Sequence, residues 1–250
     1  MVRGLLRSLK VETLKIDTTF DFRNDSNGRD PDAYSPTLKR YHCLLWSKQL
    51  PIGEYLELEE DGPNLVYRFN MQTLKFSSDS ISNSYIGTKK IAHLAKEVSP
   101  SEFEEFRDQG STIGGYIVFP SARVGGKMTI NGARGFNTKI ADRFDLTLEC
   151  IRLHYQRREN PLDDTFNIPI NSFFFSLFKD FKGYVDFFLL QDLTDNQYEK
   201  VDFFTQIEKP FTKSPIPQTA IEYRVYKTAT LDFVRRRNQR IREWSESVIM

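Results

Sequence analysis

Eleven of the chain's 21 phenylalanines fall between Phe166 and Phe211. Phenylalanine is among the residues most often withdrawn from water. This stretch therefore has to form an interior, and the rest of the chain has to cover it. Within it, Phe174, Phe178, Phe181, Val185 and Phe188 recur at spacings that suit buried helices, with a break near Gly183. A stacking platform for nucleic-acid bases would expose aromatics beside basic residues. Only Lys179 and Lys182 interrupt Phe173 to Phe188, so core packing is expected. Hydrophobic residues make up 39% of the 250, which supplies a sizeable core and argues against a disordered chain.

The flanking segments carry mixed strand and helix signals. Residues 10–22 alternate loosely and suit one or two strands. Asp25 to Asp32 is turn-rich; it lacks the glycine and closing glutamate of a calcium loop, so Asx turns are expected. Ser35-Pro36 caps a helix running to about Trp46. Strands are expected at Tyr55 to Glu59, Leu65 to Phe69 and Leu74 to Phe76, an antiparallel meander. Ser99-Pro100-Ser101-Glu102 is a capping box that opens a short helix ending at Gly110. Thr112 to Pro120 reads as a strand, returning through Gly125-Gly126 into Met128 to Ile130. A turn at Asn131 to Gly135 leads into the clearest helix, with Ile140, Phe144, Leu148, Ile151 and Tyr155 on one face. A last strand, Ala220 to Tyr226, precedes a basic C-terminal helix over residues 229–246. The expected class is α+β: antiparallel sheet meanders packed on several helices around a phenylalanine-rich core. No repeat or low-complexity linker divides residues 1–250, so one domain is expected.

Charge narrows the function classes. The 35 basic and 34 acidic side chains leave a net charge of +1, unlike a polybasic protein. The balance is local. Residues 51–200 carry 17 basic and 22 acidic groups, while each 50-residue end carries nine and six. Arg123 to Arg158 holds eight basic groups against three acidic ones. Two distant cysteines, Cys43 and Cys150, exclude a disulfide scaffold. The N-terminus lacks the long apolar segment of a signal peptide. The purest apolar run is Phe187-Phe188-Leu189-Leu190, far short of the about 20 residues a membrane helix needs. A soluble, cytoplasmic protein with no membrane partner is expected.

Several of these segments, taken together, carry a family likeness. They are Asp30-Pro-Asp32 with Ser35-Pro-Thr-Leu38, Tyr41-His42, Leu45-Trp-Ser-Lys48, Thr112-Ile-Gly-Gly115 with Phe119-Pro120, Thr129-Ile-Asn131, and Ala133-Arg-Gly135. Asp142 to Arg152, Gly183 to Leu193, Arg237-Asn238 and Arg240-Ile241 complete the set. The chain resembles a bacterial family catalogued as a domain of unknown function (DUF6994). The resemblance spans nearly the whole chain, which implies a single domain. It brings no activity and no catalytic residues.

The residues themselves offer candidates. A glycine-containing turn before a helix presents backbone amides that can meet a phosphate. Arg134 lies in that turn, and Lys139 and Arg143, four apart, would share one helical face. The spacing is neither a Walker A loop nor a dinucleotide fingerprint. The alternative is that Arg134 and Arg143 pair with Asp142, Asp145 or other carboxylates and fix the turn. Asp142, Asp145, Glu149 and Arg152 form a line along the helix; such carboxylates can hold Mg²⁺ beside a phosphodiester, or form a solvated face laced with ion pairs. Cys150 and His154 lie one turn apart and could serve as nucleophile and base. Zinc is disfavoured, because His42-Cys43 is a poor chelating pair and no Cys-x-x-Cys occurs. Arg235, Arg236, Arg237, Arg240 and Arg242 make the C-terminal helix an electrostatic footprint for nucleic acid or an acidic partner.

The leading expectation is binding of a phosphate-bearing ligand, nucleic acid or nucleotide, at residues 131–143. Arg134, Lys139 and Arg143 would hold the phosphates, with Arg235, Arg236 and Arg240 as a second patch. Any catalysis would be phosphodiester or phosphoryl chemistry using Glu149, Asp145 or His154. The alternative is a non-enzymatic interaction or structural protein whose arginine clusters dock acidic partners.

Overall fold

The computed structural model describes residues 16–62, 64–69, 72–85, 88–121, 123 and 125–249. Four strands, β1 (Leu58–Asp61), β2 (Asn64–Phe69), β3 (Gln72–Ser80) and β4 (Tyr116–Pro120), form one antiparallel sheet in the order β1-β2-β3-β4. Every residue of β4 is buried. Nine α-helices surround the sheet among the described residues: α1 (Pro31–Tyr34), α2 (Pro36–Trp46), α3 (Pro100–Gly110), α4 (Ile130–Phe136), α5 (Phe144–Tyr155), α6 (Asp163–Phe166), α7 (Pro169–Ser176), α8 (Phe181–Phe188) and α9 (Ala220–Ile249). The class is α+β.

Local chemistry sets the helix starts. Ser35 Oγ accepts the Leu38 N–H at 3.0 Å, and its hydroxyl donates to Asp25. Pro36 sits at the first helical position, where no N–H is needed. Ser99 and Glu102 satisfy each other's amides at the head of α3.

The phenylalanine stretch is the interior, as its composition requires. The Phe174 ring meets Phe178 at 5.1 Å, Phe175 at 5.2 Å and Phe188 at 6.3 Å, and reaches Phe76 of β3 at 5.7 Å. Trp46 of α2 joins through Phe188 at 5.1 Å. Edge-to-face pairs of this kind add about 0.5–1.5 kcal/mol each beyond their buried area. The break between α7 and α8 falls at residues 177–180 rather than at Gly183. Gly183 lies in the first turn of α8, where a Cβ would come within 2.1 Å of the Phe178 carbonyl oxygen. It is required by close packing.

Two expected strands, and the described part of a third, are not strands. Residues 10–15 lie outside the described residues. Residues 16–22 form turns, because Asp17 and Asp21 take nearby amides: Thr19 N–H at 2.9 Å and Arg23 N–H at 2.9 Å. Met128 to Ile130 does not return as a strand, since Thr129 caps α4 by accepting the Gly132 N–H at 3.1 Å. Ala220 to Tyr226 is the start of α9, which continues unbroken through the basic segment expected at 229–246. Its buried positions, Ala220, Tyr223, Tyr226, Thr230, Val234, Arg237 and Ile241, follow the helical period.

Helix α9 is tied along its length to distant chain. Tyr226 donates to the Asn83 carbonyl at 2.9 Å. Asn238 accepts the Gly114 N–H at 2.7 Å and donates to Thr112 Oγ1 at 2.8 Å. The Arg237 guanidinium, fully buried, donates to the carbonyls of Gly114, Tyr116 and Phe188 at 2.9, 2.6 and 3.1 Å. Among the described residues no helix is long and apolar enough to cross a membrane.

Candidate functional site

The cations expected to grip phosphate are separated. Residues 137–143 are not helical, and Ala141 and Asp142 take left-handed backbone angles, φ 48° and 67°. Lys139 and Arg143 therefore do not share a helical face. Lys139 is exposed. Arg134 points from α4 into the interior with no exposed surface. It pairs with Asp79 and with Asp142 at 3.1 Å, and donates to Thr147 Oγ1 at 3.1 Å and the Asp142 carbonyl at 2.9 Å. Arg143 pairs with fully buried Asp145 and donates to Thr205 Oγ1 at 2.9 Å and the Pro215 carbonyl at 3.1 Å. Both guanidiniums tie elements together, and neither opens onto a cleft with Lys139.

The carboxylates of α5 are engaged in the same way. Glu149 accepts two hydrogen bonds from Arg152, each 2.7 Å, and the pair is buried. The line Asp142, Asp145, Glu149, Arg152 is thus neither a solvated face nor an open metal site. Among the described residues no group of three or more histidines, cysteines or acids is placed to hold a metal ion. Cys150 is buried and unbridged; burial, with the neighbouring Glu149 charge, pushes its thiol well above the usual range. That is the reverse of an activated nucleophile.

On α9, Arg235 pairs with Asp232, Arg240 pairs with Asp192, and Arg242 donates to Thr18 Oγ1 at 3.0 Å. Arg236 is exposed and makes no ion pair among the described residues. The quintet is mostly a set of tethers.

A concave surface lies at the other end of α5. A hollow of about 690 Å³ is lined by His154, Tyr155, Arg157, Arg158, Phe175 and Lys179, with Glu159 and Asp163 also on its wall. The chain leaves α5 through a Schellman turn: the Arg157 N–H donates to the His154 carbonyl at 2.9 Å and the Arg158 N–H to the Leu153 carbonyl at 2.9 Å. The left-handed position of that turn, usually glycine, is Arg157, φ 55°. Lys179, beyond α7, is also left-handed, φ 70°. Neither Arg157, Arg158 nor Lys179 forms an ion pair among the described residues. The His154 ring packs on Phe175 at 5.1 Å and Phe166 at 5.4 Å. Burial holds its pKa below the usual value, which favours the neutral imidazole near pH 7. Of the residues singled out in the sequence for ligand or catalysis, only His154 lines this hollow.

A second polar region is closed inside the fold. Trp46 Nε1 donates to His42 Nδ1 at 2.9 Å, so Nε2 carries the proton and donates to Ser78 Oγ at 3.0 Å. Burial and the Arg237 charge push the His42 pKa down from 6.5 to about 3. The folded state therefore holds fewer protons than the unfolded chain between these values, and this contribution to stability is lost as pH falls from 6.5 toward 3. Urea unfolding of His42→Gln beside wild type at descending pH should show their stability gap closing by up to about 1.4 kcal/mol per pH unit. A gap that does not change with pH would mean that His42 is not held neutral.

A model of a family of unknown function, DUF6994, matches residues 16–241. The chain belongs to this family. No curated protein and no solved structure matches it. The DUF6994 match runs from before α1 to Ile241 of α9, so both the hollow and the closed polar region lie inside it.

Sequence reasoning passed over Arg157, Arg158 and Lys179. The first two were legible only as the end of a basic stretch, and Lys179 as a charge interrupting an aromatic run. A non-glycine residue in a left-handed turn leaves no sequence signal, and the approach of residues 157 and 179 depends on how α7 folds back on α5.

Proposed function

We propose that the chain binds a phosphate-bearing ligand, a nucleotide or nucleic acid, in the hollow beside His154. The observation that carries this reading is the placement of two unpaired cations, Arg157 and Lys179, in left-handed turns on one concave surface. Backbone strain at such positions costs about 1 kcal/mol or more each, and glycine would avoid it. Retaining a cation at both is understandable if the charges act on a ligand. With Arg158 they offer donors suited to phosphate oxygens, while Tyr155 and Phe175 give an apolar wall for the rest of the ligand. Of the two wall carboxylates, Asp163 is already tied to Asn160.

Calorimetric titration of the full chain with ATP and with inorganic pyrophosphate tests the reading. Arg157→Gly and Lys179→Gly should each weaken binding about tenfold, the loss of one charged contact. Each should also raise unfolding stability by about 0.5–1 kcal/mol as the left-handed strain is relieved. Unchanged affinity in both variants would sink the proposal, as would absence of binding to wild type. If the ligand is nucleic acid, affinity for an oligonucleotide will fall linearly on a log–log plot against salt.

A further inference from the structure

Side chains from four elements meet beside α1. Asn131 of α4 donates from its amide nitrogen to the Ser78 carbonyl at 3.1 Å and Ser77 Oγ at 3.3 Å. This fixes its oxygen on the other side. His42 of α2 donates to Ser78 Oγ of β3, which leaves the Ser78 hydroxyl hydrogen for the Asp32 carboxyl of α1. Asp79 of β3 and Asp142 flank Arg134. Two oxygens in this cluster, Asp32 Oδ1 and Asn131 Oδ1, are closed off from solvent and accept no hydrogen bond. The cluster nevertheless has an open edge, since the Asp79 and Asp142 side chains keep 17% and 29% of their surface exposed.

We propose that this cluster binds a small organic cation, an ammonium or guanidinium group whose N–H donors fill Asp32 Oδ1 and Asn131 Oδ1. Each occluded, unfilled oxygen costs about 1–3 kcal/mol, so a donor-bearing ligand gains on both. The sign of the charge selects among donors. Asp79 and Asp142 flank Arg134, and the Asp79 and Asp30 charges act on Asp32, so acids outnumber the guanidinium and an anion is repelled. A sugar hydroxyl would satisfy the oxygens but do nothing to offset the acidic charge of Asp79 and Asp142 at the open edge.

The carboxyl of Asp32 is pushed well above its usual range, by burial first and then by the Asp79 and Asp30 charges; Ser78 and Arg134 pull the other way. Tyr116 of β4 faces Asp32 and Asp30, and His42, reached through Ser78, is held neutral by burial. In the absence of ligand, burial favours the protonated carboxyl of Asp32. Binding the cation transfers that proton to solvent: the Asp32 O–H bond breaks, its electron pair stays on the carboxylate, and the carboxylate pairs with the ligand N–H. Affinity should therefore rise with pH.

The experiment is calorimetry on the full chain with agmatine and putrescine, in two buffers of different protonation enthalpy, with glucose as the uncharged probe. Agmatine or putrescine should bind saturably and release protons on binding. Asp32→Asn should weaken binding by about tenfold or more, the loss expected when a charged acceptor becomes neutral, and should abolish proton release. Asn131→Ala should weaken binding while keeping proton release, and it decides the matter should the Asp32 variant fail to fold. The proposal is overturned if neither cation binds, if glucose binds comparably, or if a folded Asp32→Asn chain binds and releases protons as wild type does. Phosphate binding at the hollow is read with different probes and variants and stands or falls separately.

Discussion

Arg143→Ala should lower the unfolding free energy by about 3–5 kcal/mol, the usual result of removing one partner from a buried ion pair. Asp145 has no exposed surface, and its carboxylate pairs with Arg143 while accepting the Phe204 N–H at 2.9 Å. Without the guanidinium it must stay ionised in the interior or take up a proton. The Pro215 carbonyl and Thr205 hydroxyl lose their donor as well. Set against a typical total stability of about 5–15 kcal/mol, this is a large share. A second variant separates pairing from packing. Arg143→Met with Asp145→Leu removes both charges and keeps the volume, and should recover much of the loss, because apolar replacement of a buried pair is often close to neutral. Chemical unfolding of the three chains decides it. A single variant as stable as wild type would mean that Asp145 finds other partners.

Arg237→Met should cost about 3 kcal/mol or more, for a different reason. Arg237 has no carboxylate beside it among the described residues; its donors serve three backbone carbonyls. Methionine fills the space and removes a charge that was costly to bury, which works in favour of the variant. The carbonyls of Gly114, Tyr116 and Phe188 are then left unsatisfied, at about 1–3 kcal/mol each, and this loss outweighs the gain. Arg237→Lys should fall between, since an ammonium supplies charge and three donors without the planar fork that reaches three directions at once. Thermal and urea unfolding rank the series. If methionine is tolerated better than lysine, the charge rather than the unmet carbonyls dominates.

How much of this was legible in the sequence depended on range. Ser35 and Ser99 announced their helices because a cap needs only the next three residues. The Leu65 to Phe69 strand and its neighbour were legible because their turn is local. The start of α9 reads as a strand because Ile221, Tyr223 and Val225 alternate, while Ala220, Tyr223 and Tyr226 keep a helical spacing that only the continuation to Ile241 separates from it. The spacing of Lys139 and Arg143 suggests one helix because nothing in Ala141-Asp142 declares two left-handed residues in a row. The site was harder than the fold. Arg134 and Arg143 carry the right charge in the right place along the chain, and Asp142 and Asp145 are near enough in sequence to be read as partners. Asp79, which also holds Arg134, is 55 residues away and recognisable only after folding. The cations left without partners, Arg157 and Lys179, had no motif to mark them.

Helix α9 also has a temporal consequence. Its side chains satisfy groups at Thr18, Asn83, Thr112, Gly114, Tyr116, Phe188 and Asp192, all made earlier on the ribosome. During synthesis the sheet and the phenylalanine helices can collapse, but the carbonyls that Arg237 will meet stay unfilled until α9 emerges. Until then the nascent chain is expected to remain a loose intermediate with exposed aromatic surface, the state in which chaperones bind and aggregates start. Consolidation is expected as one event once α9 is made, rather than as a sequence of independently stable steps.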